Sequence, residues 1–303
     1  MMEGFLIRSV VSVVLSFSIA ARAYKHRSLD GSGALAGFLV MTIHIAASYR
    51  FGALLLAFFF TSSKLTKVGE EKKRSIEDHF KEGGQRNWVQ VLANSAIATS
   101  LVVLVAKMNG GKDRCLDTKE STLITSLIGG IIGHYACCNG DTWSSEIGML
   151  SNAQPRLITT FKAVRKGTNG AVTVEGLLAA AVGGFVIGLT YVIVGLLTVE
   201  CAHDVIWRQL LVIPVAAAAG LCGSLIDSLL GATLQFSGYC TLRKRFPLSN
   251  LTGNCLTHLW DHEIHEVAPF AFTFLYLALN STKSSAIGLQ LNFINLMVPD
   301  SFI

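Results

Sequence analysis

The chain has 303 residues, 51% hydrophobic and 15% charged, with a formal net charge of +5 and a mean hydropathy of +0.51. Soluble chains carry roughly 25% charged residues, so one water-facing domain is excluded and a multi-pass membrane protein is expected. The modest charge gives no case for a nucleic-acid partner.

The apolar runs come in order near Phe5–Ala21, Gly33–Ser48, Phe51–Thr61, Trp88–Ala106, Ser121–Cys138, Gly176–Thr198 and Gln209–Leu234, with weaker ones at Ala268–Leu279 and Ile287–Val298. A spanning helix needs about 20 apolar residues. The expected fold class is therefore all-α, a polytopic transmembrane bundle of about seven to nine spans. It forms one integral membrane domain over residues 1–303, with a charged cytosolic loop at 62–87 and a motif loop at 140–175. Arg8 interrupts the first run and further spans follow at once, which favours an uncleaved helix over a signal peptide ending at Ala21-Arg22-Ala23.

The seven cysteines give no disulfide framework. Cys137, Cys138 and Cys222 lie in apolar runs, and the others lack a redox or zinc spacing. Reduced, small apolar side chains are expected.

Basic residues set the orientation. The loops after the first, third, fifth and seventh runs hold 17 of them, including Arg22, Lys64, Arg86, Arg165 and Arg243, against six in the alternate loops. The positive-inside rule then puts the richer side in the cytosol and the amino terminus outside.

The polar clusters gather on that same side. They are Asp30-Gly31-Ser32, Thr61-Ser62-Ser63-Lys64, Asn139 through Glu146, Arg165 through Gly170, and Ser224-x-x-Asp227-Ser228. Asp141 and Glu146 can be interfacial carboxylates at a helix end. They are also hard oxygen donors that suit magnesium held together with substrate phosphates. A carboxylate inside a span costs at least ~2.5 kcal/mol unless it meets a polar cavity or the interface, which makes Asp227 a functional candidate. Gly167-Thr168-Asn169-Gly170 is a turn sequence. Behind Arg165 and Lys166 it can also present N–H groups and cations to a phosphate. No Walker loop is present, and Gly31-x-Gly33-x-x-x-Gly37 misses the dinucleotide spacing.

Elsewhere the bland readings hold. Gly129/Gly133, Gly184/Gly188 and Gly220/Gly223 read as helix contacts. The charged run Glu70–Glu82 reads as a solvated helix, with Lys64 beside the membrane set apart. Cys255-x2-His258-x3-His262-x2-His265 has metal spacing but no evident partner carboxylate.

Gly140-Asp141-Thr142-x-x-Ser145-Glu146-x-Gly148, Gly167-Thr168-Asn169-Gly170 and Gly223-Ser224-x-x-Asp227-Ser228-x-x-Gly231-Ala232-x-x-Gln235 together resemble the transmembrane protein 19 family, which includes plant and cyanobacterial phytyl-phosphate kinases. Phe58 through Lys64, continuing to Lys73, is similar to its animal branch. The resemblance covers about Leu29 to Gln235, and the divergent C-terminal region 252–303 does not align with it. It implies an all-helical enzyme that phosphorylates an isoprenoid monophosphate to the diphosphate at the cytosolic face. The co-substrate implied is a nucleoside triphosphate, CTP by likeness to polyprenol kinases. The roles implied are Asp141, Glu146 and Asp227 as catalytic carboxylates, with Asp141 and Asp227 holding magnesium. Lys64, Arg165, Lys166, Gly167, Thr168, Asn169 and Gly170 would bind nucleotide and phosphate. The prenyl tail would lie beside the glycine-rich faces, and the expected location is an endomembrane such as the endoplasmic reticulum. A transporter and a non-catalytic membrane scaffold are the competing classes.

Overall fold

A computed structural model describes residues 2–74, 84–199, 201 and 203–235 of the chain. Ten helices are described: α1 (Met2–Lys25), α2 (Gly31–Ala47), α3 (Tyr49–Lys67), α4 (Glu70–Arg74), α5 (Trp88–Ala93), α6 (Ala96–Met108), α7 (Thr122–Leu150), α8 (Val174–Thr198), α9 (His203–Gln209) and α10 (Val212–Leu234). A two-stranded antiparallel ribbon, β1 (Arg156–Leu157) and β2 (Ala171–Val172), pairs Arg156 with Val172. The weaker apolar runs, Arg243 to Arg245, the Cys255–His265 spacing and the region 252–303 lie outside the described residues.

Local chemistry sets the helix ends. Asp30 caps α2 by accepting the Gly33 N–H at 2.7 Å, and Ser121 and Thr173 do the same for α7 and α8. Each satisfies an N–H that has no partner inside its own helix. Ser48 serves two helices. Its N–H closes α2 on the His44 carbonyl at 3.0 Å, and its hydroxyl accepts the Arg50 N–H that opens α3.

Three described helices are long and apolar enough to cross a membrane, within Ile7–Lys25, Val174–Thr198 and Val205–Leu234. Helices α2 and α6 are apolar but shorter. Their outer faces are apolar too, as at Val10 and Phe17 on α1, Phe185 and Leu197 on α8, and Leu229 on α10. An apolar exterior around a packed interior is the pattern of a lipid-embedded bundle.

The interior is closed by backbone-to-backbone packing of α7, α8 and α10. A Cβ on Gly140 would stand 2.7 Å from Gly220 Cα and 2.9 Å from the Ala180 carbonyl oxygen. On Gly184 it would stand 2.2 Å from the Ala216 carbonyl oxygen. Without a hydrophobic driving force between helices in lipid, small residues that allow close approach supply the association. The helix-contact reading of Gly184, Gly188, Gly220 and Gly223 thus meets real neighbours across the interfaces.

Three expectations change. The segment expected as a loop from 140 to 175 is helix up to Leu150. Asn139, Gly140, Asp141 and Thr142 are weak helix formers, but packing on α8 and α10 outweighs propensity, and the Thr142 hydroxyl folds back onto the Cys138 carbonyl at 2.9 Å. The loop expected at 62–87 likewise begins as helix, since α3 runs to Lys67. The cysteines are not all reduced: Cys115 and Cys201 form a disulfide across 86 residues of sequence, with Cα atoms 5.9 Å apart. The loops after α6 and after α8 bring them together, and no short spacing marks such a pair.

Candidate functional site

Polar groups gather at each of two opposite ends of the bundle. One end carries the disulfide. There the Arg8 guanidinium donates to the Gly111 carbonyl at 2.8 Å. Buried Arg50 donates to the Tyr191 hydroxyl at 2.9 Å and to the Arg114 carbonyl, while Gln209 exchanges two bonds with the backbone of Leu116.

The other end gathers the sequence motifs. Asp141 lies on α7, 19 residues past its start, or roughly 28 Å at 1.5 Å per residue. That is close to the thickness of a hydrocarbon core. Two residues earlier, Asn139 is fully buried. It accepts the hydroxyls of Thr61 and Ser62 at 3.0 Å each and donates to the Gly183 carbonyl at 2.9 Å. This side chain joins α3, α7 and α8 immediately beneath Asp141.

The glycine-rich turn reaches α10. Gly170 has φ +73°, and a Cβ there would stand 2.5 Å from the Ser228 carbonyl oxygen and 2.4 Å from Ala232 Cβ. Only glycine fits both the left-handed backbone and the contact. The ribbon β1–β2 and the bond from the Ile158 N–H to the Gly170 carbonyl, 3.0 Å, hold the turn against the Asp227–Ser228 turn of α10. Asp227 lies seven residues past Gly220, where α10 meets Gly140. It therefore stands about 10 Å farther along, level with the turn of α7 that carries Glu146.

The basic residues at this end differ in how they are held. Lys64 is exposed on α3. Arg165 is exposed, and the Lys166 ammonium donates to the Ser151 carbonyl, which ties down the start of the motif loop. The buried cation is Lys73, from the run read as solvated. Its side chain is fully buried, it pairs with the Glu146 carboxylate, and it donates to the Leu65 and Thr66 carbonyls at 3.1 and 3.0 Å. Glu146 is thus engaged by a lysine of the chain itself.

Arg86 is a second basic residue that sequence reasoning left in the loop count. Its guanidinium donates to the Ser63 hydroxyl at 2.8 Å. Burial lowers its basicity from the ordinary value, and nearby Glu146 works in the opposite direction. Its backbone is clamped, the N–H on the Ser28 carbonyl and the carbonyl accepting from the Asp30 N–H, both at 3.1 Å. Neither Lys73 nor Arg86 carries a local signal, because each is chosen by a tertiary contact.

Buried histidines form another seam that the sequence reading passed over. Tyr135 and His44 are bonded at 2.7 Å, and His44 Nδ1 meets the Val40 carbonyl. His134 Nε2 meets the Asn94 carbonyl at 3.0 Å, where the break between α5 and α6 exposes that oxygen.

Among the described residues no group of three or more His, Cys, Asp or Glu side chains is placed to hold a metal by itself. Asp141 and Asp227 lie on the two helices that meet at Gly140 and Gly220. Such a sparse set of hard oxygens fits magnesium, which keeps several waters and takes one or two carboxylates plus substrate phosphates.

Residues 14–281 match the family model described as integral membrane protein DUF92. The chain is similar to Protein PGR of Arabidopsis thaliana, 66% identical over 78% of this chain and 83% of that protein. It is also similar to an uncharacterized membrane protein of Methanocaldococcus jannaschii, 33% identical over 77% of this chain and 86% of the relative. A third relative is Protein VTE6, chloroplastic, of Arabidopsis thaliana, 29% identical over 68% of this chain and 56% of that protein. No solved structure matches.

Proposed function

We propose that this chain, which belongs to the integral membrane protein family DUF92, transfers a phosphoryl group from a nucleoside triphosphate to an isoprenoid monophosphate. The observation that carries the reading is the seating of the Gly167–Gly170 turn on α10 at Ser228 and Ala232, beside Asp227 and at the motif end of α7. The finer resemblance to the transmembrane protein 19 family and its phytyl-phosphate kinases supplies the substrate class.

In the reaction a phosphate oxygen of the prenyl monophosphate attacks the γ-phosphorus of the triphosphate. The new P–O bond forms as the bond from the γ-phosphorus to the β,γ-bridging oxygen breaks, so the products are prenyl diphosphate and nucleoside diphosphate. Such chemistry is mostly positioning and charge neutralisation. Magnesium, when bound, would neutralise phosphate charge, with Asp141 and Asp227 as its protein ligands. The 167–170 turn presents the nucleotide site through Thr168 and Asn169, while the Thr168 N–H closes the turn on the Arg165 carbonyl at 3.3 Å, and Arg165 stands at its exposed rim. CTP is the proposed donor. Glu146 is a positioning residue, since its carboxylate is held by Lys73.

The site end is proposed to face the cytosol, or the equivalent basic-rich compartment. The basic-residue bias supports this, and so does a disulfide at the opposite end, because disulfides persist in oxidising compartments. A chloroplast membrane, as in the name of the VTE6 relative, stands beside the endoplasmic reticulum as the proposed location.

The test is a transfer assay on purified full-length protein in detergent, offering phytyl, geranylgeranyl and farnesyl monophosphates with each labelled triphosphate. Diphosphate product that disappears in Asp227→Asn establishes the kinase. No product with any pair, from folded protein, overturns it in favour of transport or scaffolding.

A further inference from the structure

Residues 151–173 join α7 to α8 and carry Arg156, Lys162, Arg165 and Lys166 with no aspartate or glutamate. They fold into a small antiparallel arrangement with β1 in its middle. On one side Arg156 pairs with Val172 and Leu157 with Ala171, and the Ile158 N–H bonds to the Gly170 carbonyl. On the other side Arg156 bridges to Ala163. There the Leu157 N–H bonds to the Lys162 carbonyl at 2.9 Å, and the Val164 N–H to the Pro155 carbonyl at 3.0 Å. The hairpin so formed turns at Thr159, Thr160 and Phe161.

Phe161 is out of place by every local rule. Its φ is +55°, a left-handed backbone that bulky side chains rarely adopt and that glycine ordinarily supplies in a hairpin. Among the described residues, Arg27 is the other non-glycine with positive φ, and it has a structural reason. It closes α1, where the Ser28 N–H reaches the Ala23 carbonyl at 2.9 Å in the manner of a helix C-cap. No helix ends at Phe161. The ring is not core either, since the residue is 67% exposed. Its N–H is bonded to the Leu157 carbonyl at 2.8 Å, and its carbonyl accepts from the Arg156 guanidinium at 3.0 Å, so the conformation is held from both sides. Burial gives no reason for an aromatic here and the backbone opposes one. Strain of this kind clusters where a ligand is clamped.

Resting on the kinase reading, we propose that the Phe161 ring stacks on the base of the nucleoside triphosphate whose phosphates lie at the 167–170 turn. The strands that lead to Phe161 and to Gly170 flank the same central strand, so they stand about 10 Å apart at two strand spacings. A ribose with its phosphates bridges such a gap. An exposed ring suits this task because every base has a π-face, and stacking needs no match to the base's edge. Arg156 and Lys162, both exposed, put positive charge beside the ring, and the segment has no carboxylate to repel a triphosphate. Phe161 therefore holds the base without selecting it.

The experiment measures binding of CTP, ATP and inorganic tripolyphosphate to full-length protein in detergent with magnesium. Prenyl substrate is left out, so the readout does not depend on transfer. The expected result is that Phe161→Gly weakens CTP and ATP alike, by about tenfold as the loss of one stack implies, and leaves tripolyphosphate unchanged. Phe161→Tyr keeps the nucleotide affinity. Glycine fits the left-handed position, so Phe161→Gly is expected to keep its thermal midpoint, which separates lost binding from lost fold. Transfer to prenyl monophosphates is measured in parallel. Phe161-dependent nucleotide binding without any transfer upholds the stack and overturns the kinase. Transfer with unchanged nucleotide affinity in Phe161→Gly upholds the kinase and overturns the stack. An equal loss for CTP and tripolyphosphate overturns the stack too, since the hairpin then serves the phosphates alone. In Phe161→Trp, added indole fluorescence that brominated phosphatidylcholine quenches and CTP does not alter also overturns it, and gives the hairpin tip to the membrane surface.

Discussion

Lys73 places its ammonium on the Glu146 carboxylate and on the last carbonyls of α3, with no part of its side chain exposed. The carbonyls at a helix C-terminus have no partners within the helix and carry the negative end of its dipole. One buried cation thus answers two helix-scale needs, ending α3 and anchoring the far turn of α7. Its neighbour Lys72 does the same for α7 by donating to the Leu150 carbonyl at 2.8 Å.

Breaking a buried pair leaves an uncompensated charge, which costs about 3–5 kcal/mol, whereas replacing both partners by apolar groups of similar size is often close to neutral. Lys73→Met alone is therefore expected to lower the thermal midpoint in detergent sharply, and Glu146→Met alone likewise. The double variant should regain most of the loss. Equal, additive losses in a double-mutant cycle would show that the two side chains do not act as a pair.

Glycine substitutions separate packing positions from open ones. Gly140→Ala and Gly184→Ala insert a methyl against backbone at 2.7 and 2.2 Å, and overpacking of this kind costs about 1–3 kcal/mol or more. Gly31→Ala meets nothing within 4 Å and is expected to leave the midpoint unchanged or slightly raised. A thermal-shift series in one detergent reads all three.

The sequence was legible where one residue's chemistry decides its place. Apolar length located the helices that cross or nearly cross. The convergence of the 167–170 turn on the Asp227 turn was foreseen as a shared end of the bundle, though not as the contact of Gly170 with Ser228. What was hidden depends on partners distant in sequence. Lys73 belongs to a run read as solvated while Lys64 was set apart from it, and only the fold shows the first buried and the second exposed. The helix through Asn139–Thr142 goes against local propensity because Gly183, Ala180 and Gly220 lie across from it. Cys115 and Cys201 are paired by two loops that no spacing relates.

Tyr191 gives a variant remote from the proposed chemistry. Its hydroxyl accepts from Arg50 at 2.9 Å at the disulfide end, and a hydrogen bond to a charged group contributes about 1.5–3 kcal/mol. Tyr191→Phe is expected to lower the thermal midpoint while leaving the Michaelis constants for both substrates unchanged. A selective rise in either constant would place Arg50 and Tyr191 within the working site.

Cys115–Cys201 makes a prediction about stability and about sidedness together. Removing a native disulfide typically costs about 2–5 kcal/mol, so Cys115→Ser and Cys201→Ser should each lower the midpoint, with the double variant no worse than either. Reductant should lower the wild-type midpoint to the same level and leave the variants unmoved. In sealed membrane vesicles, the free thiol left at position 201 in Cys115→Ser should react with a membrane-impermeant maleimide only from the face opposite the one where a tag at residue 160 is digested by added protease. Labelling and digestion from the same face would reverse the assignment of the two ends. A wild-type pair that reacts with maleimide before any reductant is added would show that the bridge does not form in the cell.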